Sequence, residues 1–239
     1  MTANHARIAD RLDRTALVSL LLTIPFLLHA HGFAEVTIAV TGLCFLARSA
    51  VLHDWAWLRT TWVRIGFAWW AWLTLCSVPI PALGMGEGGW PSLLQAVLTV
   101  RFIILAAAME HVVLRDSAAR RWMYGLIAAS AAYIAAQCLF QFTFGRNTYG
   151  WPRFVDGELT GPFGTARAGP PLARMLVPAM LPPVMALLGR RSVGGWLGGL
   201  ALLVGGVVVM VLIGQRMPLV LALGSLAIAG LLIRRLRLP

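Results

Sequence analysis

Eight stretches of this chain are apolar for about the length that a helix needs to cross a bilayer. They fall at about 15–31, 33–52, 65–83, 91–114, 122–144, 172–189, 193–213 and 217–233. A hydrocarbon core of roughly 30 Å takes about 20 residues of helix, and a spanning segment must satisfy its own backbone hydrogen bonds. The series therefore predicts an all-α fold, a polytopic transmembrane helical bundle. Composition agrees: of 239 residues 59% are hydrophobic and 12% charged, against roughly 45–50% and about 25% in soluble domains. So few polar residues cannot cover the surface of a soluble enzyme of this size. The formal net charge of +11 is read as membrane-topology charge, and no nucleic-acid partner is expected. No repeat, low-complexity tract or soluble domain intervenes, so residues 1–239 read as one transmembrane domain.

The arginines test this reading independently, because cytoplasmic loops carry the excess of basic residues. Arg7, Arg11 and Arg14 precede the first run and place the N-terminus inside. Alternation then puts Arg48, Arg59, Arg64, Arg115, Arg120, Arg121, Arg190, Arg191, Arg234, Arg235 and Arg237 inside as well, fourteen in all. Five fall outside: Arg146, Arg153, Arg167, Arg174 and Arg216. A wrong count would scramble this pattern, so eight spans with both termini cytoplasmic are expected. The first run has a basic flank like a signal peptide, but Leu28-His29-Ala30 is a poor cleavage site and it is read as a span.

One long segment, about 145–171, lies between the fifth and sixth runs on the outer side. Its glycines and prolines exclude a regular helix through most of it. Trp90 and Trp151 fit outer interfacial anchors, and Trp62 and Trp122 inner ones. Gly194-Gly195-Trp196-Leu197-Gly198-Gly199 holds two overlapping small-xxx-small pairs, read as close helix packing. Cys44, Cys76 and Cys138 each lie inside an apolar run; neither a disulfide framework nor a metal site is expected.

No phosphate-loop, nucleophile-elbow or zinc-protease motif is present. His29, His31 and Glu35, at the outer end of the first hairpin, read as a solvated loop edge more than as a base. Glu110-His111 reads as interfacial. The outer arginines run against the topology rule, which points to another use. Arg216 stands in Gly214-Gln215-Arg216-Met217-Pro218, a tight turn with Pro218 in the first turn of the last helix. A helix N-terminus favours anions, and a guanidinium grips phosphate oxygens in a planar fork. The alternative is an arginine snorkelling to lipid headgroups. Arg101 lies inside the fourth run, where a charge costs at least about 2.5–3.5 kcal/mol. Glu110 is half a turn out of phase with it, so its partner must come from another helix. Glu35, Gln137 and Gln141 are the candidates.

At these residues the chain resembles the O-antigen ligase/polymerase family of bacterial inner-membrane proteins. The short-looped spans with an inside N-terminus carry the likeness. So does Leu159-Thr160-Gly161-Pro162-Phe163-Gly164, followed by Leu172-Ala173-Arg174-Met175-Leu176-Val177-Pro178; it is similar to the family's Gly-x-Phe-Gly-Asn-Pro-Asn stretch leading into a helix with an interior proline. Gly214-Gln215-Arg216 is similar to the family's Ser-Arg step. The chain departs from the pattern at Ala166-Arg167-Ala168-Gly169-Pro170, where the family has Asn-Pro-Asn, and at Gln215, where it has Ser. The family also has further spans and a large periplasmic loop carrying its base, beyond Pro239 of this chain.

The resemblance implies transfer of a glycan from undecaprenyl diphosphate to a lipid A-core or glycan acceptor in lipopolysaccharide biosynthesis, at the bacterial inner membrane, without cofactor or metal. It implies that Arg216, and more weakly Arg167 and Arg174, bind the diphosphate. It names no catalytic residue here: Asp156 and Glu158 flank Gly157, face water on a simple reading and would be weak bases. The chain alone is therefore expected to bind the lipid-linked diphosphate and not to turn it over. The alternative is a non-enzymatic polytopic protein, a transporter half or assembly subunit. Transporters carry interrupted helices in paired halves; Pro79, Pro81, Pro178, Pro182 and Pro183 interrupt spans here, but without paired halves.

Overall fold

The structure, a computed structural model, describes residues 3–80, 89–154, 156–164, 166–190 and 192–236. Pro81, Arg191 and Arg237 lie outside the described residues, as do the side chains of Arg234 and Arg235. Among the described residues the fold is all-helical. In chain order the helices are α1 (Ala3–His29), α2 (His31–Leu52), α3 (Thr61–Cys76), α4 (Gly89–Leu98), α5 (Val100–Ala108), α6 (Ser117–Phe144), α7 (Gly169–Gly189), α8 (Val193–Leu212) and α9 (Arg216–Leu236). The chain forms two compact units, Met1–Trp122 and Met123–Pro239.

Six helical segments among the described residues are long and apolar enough to cross a membrane: Asn4–His29, His31–Leu52, Gly89–Val113, Ser117–Phe144, Gly169–Leu187 and Val193–Leu212. Two expected spans lie outside these six: α9 is helical for 21 residues, Arg216–Leu236, with the apolar part Arg216–Ile228 among its fully described residues, and α3 is short. α3 ends at Cys76 after 16 residues, about 24 Å at 1.5 Å per residue. Ser77 turns its hydroxyl back onto the Leu73 carbonyl at 2.8 Å, and Pro79 disfavours helix in the residue before it.

In the first unit, α1 and α2 make an antiparallel hairpin with Ala30 as a one-residue link. Ala16, Leu20, Ile24 and Leu28 of α1 are buried, as are Ala34, Ile38, Thr41 and Phe45 of α2. Both sets recur every three or four residues, the spacing of one helix face. Between them the Thr23 and Thr37 hydroxyls share a hydrogen bond of 2.9 Å, the kind of polar join that small-residue helix contacts use in lipid. α1 begins well before the expected run, so Arg7, Arg11 and Arg14 stand on helix rather than on a flanking loop. The fourth expected span is one apolar rod with two irregularities. The Thr99 hydroxyl takes the Ala96 carbonyl at 2.6 Å, competing with the backbone ladder where α4 gives way to α5. Met109–Val113 then form a π-turn.

In the second unit, α7 corrects an expectation. Pro178, Pro182 and Pro183 do not interrupt it; the α-helix is continuous from Gly169 to Gly189. A helical proline removes the N–H that would bond the carbonyl four residues earlier. For Pro183 that carbonyl is Ala179's, and it accepts the Tyr124 hydroxyl of α6 at 2.8 Å. The freed carbonyl is thus re-satisfied from a neighbouring helix, as spanning helices require. Tyr124→Phe is expected to cost about 1–3 kcal/mol, the cost of an orphaned buried acceptor. The check is thermal unfolding in detergent; Tyr124→Phe/Pro183→Ala should recover part of the loss, because alanine restores the N–H. At the glycine-rich start of α8 the close approach is at Gly195, whereas Gly194 has nothing within 4 Å of a Cβ position and Gly198 only ordinary contact with Leu187. A Cβ on Gly195 would sit 2.5 Å from the Leu187 carbonyl oxygen of α7, and Ser192 caps the helix by accepting the Gly195 N–H at 3.1 Å.

Candidate functional site

Among the described residues the α6–α7 connection of the second unit is non-helical from Gly145 to Ala168 apart from a 3-10 turn at Gly161–Phe163, as its composition predicts. It is built around two side chains. Gln141, on the last turn of α6, is fully buried. Its Oε1 accepts the backbone N–H groups of Thr160 (2.9 Å) and Gly161 (3.0 Å). Its Nε2 donates to the Pro152 carbonyl and the Thr160 hydroxyl, both at 2.9 Å. Asn147 accepts the N–H groups of Tyr149 and Trp151 on its Oδ1 and donates to the Gly161 carbonyl at 2.6 Å. Gly161 and Gly164 hold φ of +54° and +62°, the left-handed region that L side chains avoid. A Cβ on Gly164 would also lie 2.9 Å from the Trp151 ring. The glycines of the Leu159–Gly164 motif therefore have a local structural reason.

So folded, the loop fastens to the α8–α9 turn. The Leu159 N–H donates to the Ile213 carbonyl at 3.3 Å. Glu158 corrects the reading that placed it in water: its side chain is only 19% exposed. It pairs with Arg167 Nε at 2.7 Å and accepts the Gln215 amide at 3.1 Å. The fastening is tight enough that a Cβ on Gly169 would land on the Gln215 amide oxygen.

The five outer arginines are thereby sorted. Arg153 donates to the Phe142 carbonyl at 2.6 Å, capping the end of α6. Arg167 pairs with both Glu158 and Asp156, the latter at 3.4 Å, and lies over the Phe154 ring. Among the described residues Arg146, Arg174 and Arg216 are exposed and make no ion pair or side-chain hydrogen bond. Arg216 opens α9 and Arg174 lies in the second turn of α7. Between these two helix starts runs an open groove of about 450 Å³. Its walls are Pro170 and Ala173 of α7 and Met217, Pro218, Leu221 and Ala222 of α9, with Arg174 and Ser225 as its polar members. An apolar trough with Arg174 in its wall, and with Arg216 next in sequence to its lining residue Met217, suits an amphiphile with an anionic head.

In the first unit, Arg101 finds its partner among the three candidates. Nη1 lies 2.5 Å from the Glu35 carboxylate on α2. Gln137 and Gln141 serve the loop instead, Gln137 donating to the Thr148 hydroxyl at 2.7 Å. The loop-building roles of Gln141 and Asn147 escape sequence reading, since a lone amide in or beside an apolar run carries no pattern. The position of Gln141 at the end of a span next to a glycine-rich loop is the one signal it gives. No protein-family model, curated protein or solved structure matches this chain.

Proposed function

We propose that this is a polytopic protein of the bacterial inner membrane that binds an undecaprenyl-diphosphate-linked glycan, in the manner of an O-antigen ligase or polymerase. Lipid A-core or a growing glycan is the acceptor class. The observation that carries the reading is the groove between α7 and α9. Its apolar walls match a polyprenyl chain, and the unpaired Arg174 and Arg216 at the two helix starts match a diphosphate. Arg167, engaged by two carboxylates, supports the loop beside the groove. Binding is tested with the whole chain in detergent and a polyprenyl diphosphate as probe. Leu221→Trp fills the groove from an exposed position and should weaken binding about tenfold or more at unchanged thermal stability. Equal binding by that variant would remove the groove from the proposal.

The same reading gives eight spans with both ends in the cytoplasm and the α6–α7 loop in the periplasm. It rests on the arginine alternation and on the loop's fastening to the α8–α9 turn, which joins two segments assigned to one side. Reporter fusions at Gly157 should report periplasm, and fusions at Asp54 and Ser117 cytoplasm. Reversal at any of the three would break the topology.

A further inference from the structure

The first unit holds a second cavity that the proposed function does not use. It measures about 400 Å³ and lies where the end of α2, the 3-10 turn Ala56–Arg59 and the π-turn Met109–Val113 meet. Its wall is unlike that of the α7–α9 groove. Arg48, Arg115 and His111 converge on it, with the carboxylates of Asp54 and Glu110 and the ring of Trp57. The backbone around it is irregular on two sides. His53 ends α2 in the left-handed region at φ 53°, with its own N–H on the Ala50 carbonyl and that of Asp54 on the Ser49 carbonyl. A residue with a Cβ pays a steric penalty there that glycine would avoid. On the other side, π-turns are rare and gather at functional sites.

The two guanidiniums and two carboxylates around the cavity balance formally, but among the described residues they make no ion pair with one another. Glu110 accepts the Trp62 indole N–H at 2.6 Å, and Asp54 accepts the Ala56 N–H at 3.2 Å. Each carboxylate thus holds an N–H of the protein, and Glu110 also lies 4.0 Å from His111 Nε2. Arg48 uses its Nε toward Asp13 at 2.8 Å, which leaves its Nη groups. Arg115 makes no ion pair and no side-chain hydrogen bond among the described residues. The guanidiniums of Arg48 and Arg115 thus keep donors that no carboxylate of the cavity takes, and the guanidinium fork suits tetrahedral oxyanions. We infer that this cavity binds a phosphate group through Arg115 and Arg48. The group is either the headgroup of an anionic phospholipid or a soluble phosphate compound. In the topology proposed above the cavity opens at the cytoplasmic boundary, where both are present.

The test uses the full chain purified in a neutral detergent. Native mass spectrometry counts adducts of phosphatidylglycerol, and thermal shift follows titration with inorganic phosphate. Arg115→Ala removes an exposed, unpaired group and leaves the fold intact. Arg7→Ala removes an exposed arginine on α1 that does not line the cavity. Binding of either probe that falls about tenfold in Arg115→Ala and stays unchanged in Arg7→Ala is the expected result. Dependence seen with the lipid alone assigns a headgroup site, and dependence seen with phosphate alone a soluble ligand. Equal loss in both variants would show bulk charge attraction and overturn the inference. So would binding indifferent to Arg115, or no binding of either probe.

Discussion

Arg216→Ala is expected to lower affinity for a polyprenyl diphosphate by about tenfold to a hundredfold, with no loss of thermal stability. The size follows from one charge-assisted contact to phosphate, worth about 1.5–3 kcal/mol. The unchanged stability follows from where the residue sits. Arg216 is exposed, makes no ion pair or side-chain hydrogen bond among the described residues, and is the first residue of α9. The positive end of a helix dipole is an unfavourable place for a cation, by about 0.3–1 kcal/mol. The residue is therefore not there to stabilise the fold, and removing it should leave the melting temperature equal or slightly higher. Arg216→Lys keeps the charge but not the planar fork and should recover little of the binding. A snorkelling arginine predicts otherwise: lysine substitutes fully, and binding follows headgroup charge in the membrane. Undiminished binding by Arg216→Ala would remove this residue from the site.

The features that periodicity and charge control were readable from the sequence. Apolar length alone located the six helical segments long and apolar enough to cross a membrane, while α3 ends earlier than expected. Glycine and proline alone located the non-helical segment between α6 and α7. The energetic argument that Arg101 needs a partner on another helix narrowed the choice to three residues, one of which, Glu35, the structure places against it. Features that depend on which side chains meet across loops were not readable. Nothing in the spacing of Glu158 and Gln215, 57 positions apart, announces a contact. Asp156 and Glu158 therefore looked solvated, and Arg167 looked as free as Arg216. The prolines of α7 misled for a related reason. Proline breaks a helix when its orphaned carbonyl has no other donor, and the donor here, Tyr124, lies on a different helix. The cavity lined by Arg48 and Arg115 was hidden in the same way, because topology charge and ligand-binding charge are the same residues until the fold shows which of them converge.

Gln141→Leu should be the most destabilising single change in the second unit, at about 3–5 kcal/mol. Leucine fills nearly the same volume, so packing loss is small and the effect isolates the amide. It leaves the buried N–H groups of Thr160 and Gly161 without their acceptor, and the Pro152 carbonyl and Thr160 hydroxyl without their donor. Each orphaned buried group costs about 1–3 kcal/mol, and water entering an opened loop recovers part of it. The consequence travels outward along the chain. Leu159 loses its register with Ile213, Glu158 loses its hold on Gln215, and the starts of α7 and α9 that flank the groove lose their common anchor. Hydrogen exchange should show it first, as faster exchange at Thr160, Gly161 and Leu159 with α8 unchanged. Gln137→Leu, one turn earlier on the same helix face, is the control. Its amide bonds only Thr148, at the more open start of the loop, and the expected cost is about 1 kcal/mol. If the two variants unfold alike, or if Thr160 and Gly161 stay protected in Gln141→Leu, the loop is held by its glycine turns and Asn147 alone. The groove would then owe its shape to helix packing and not to the clamp.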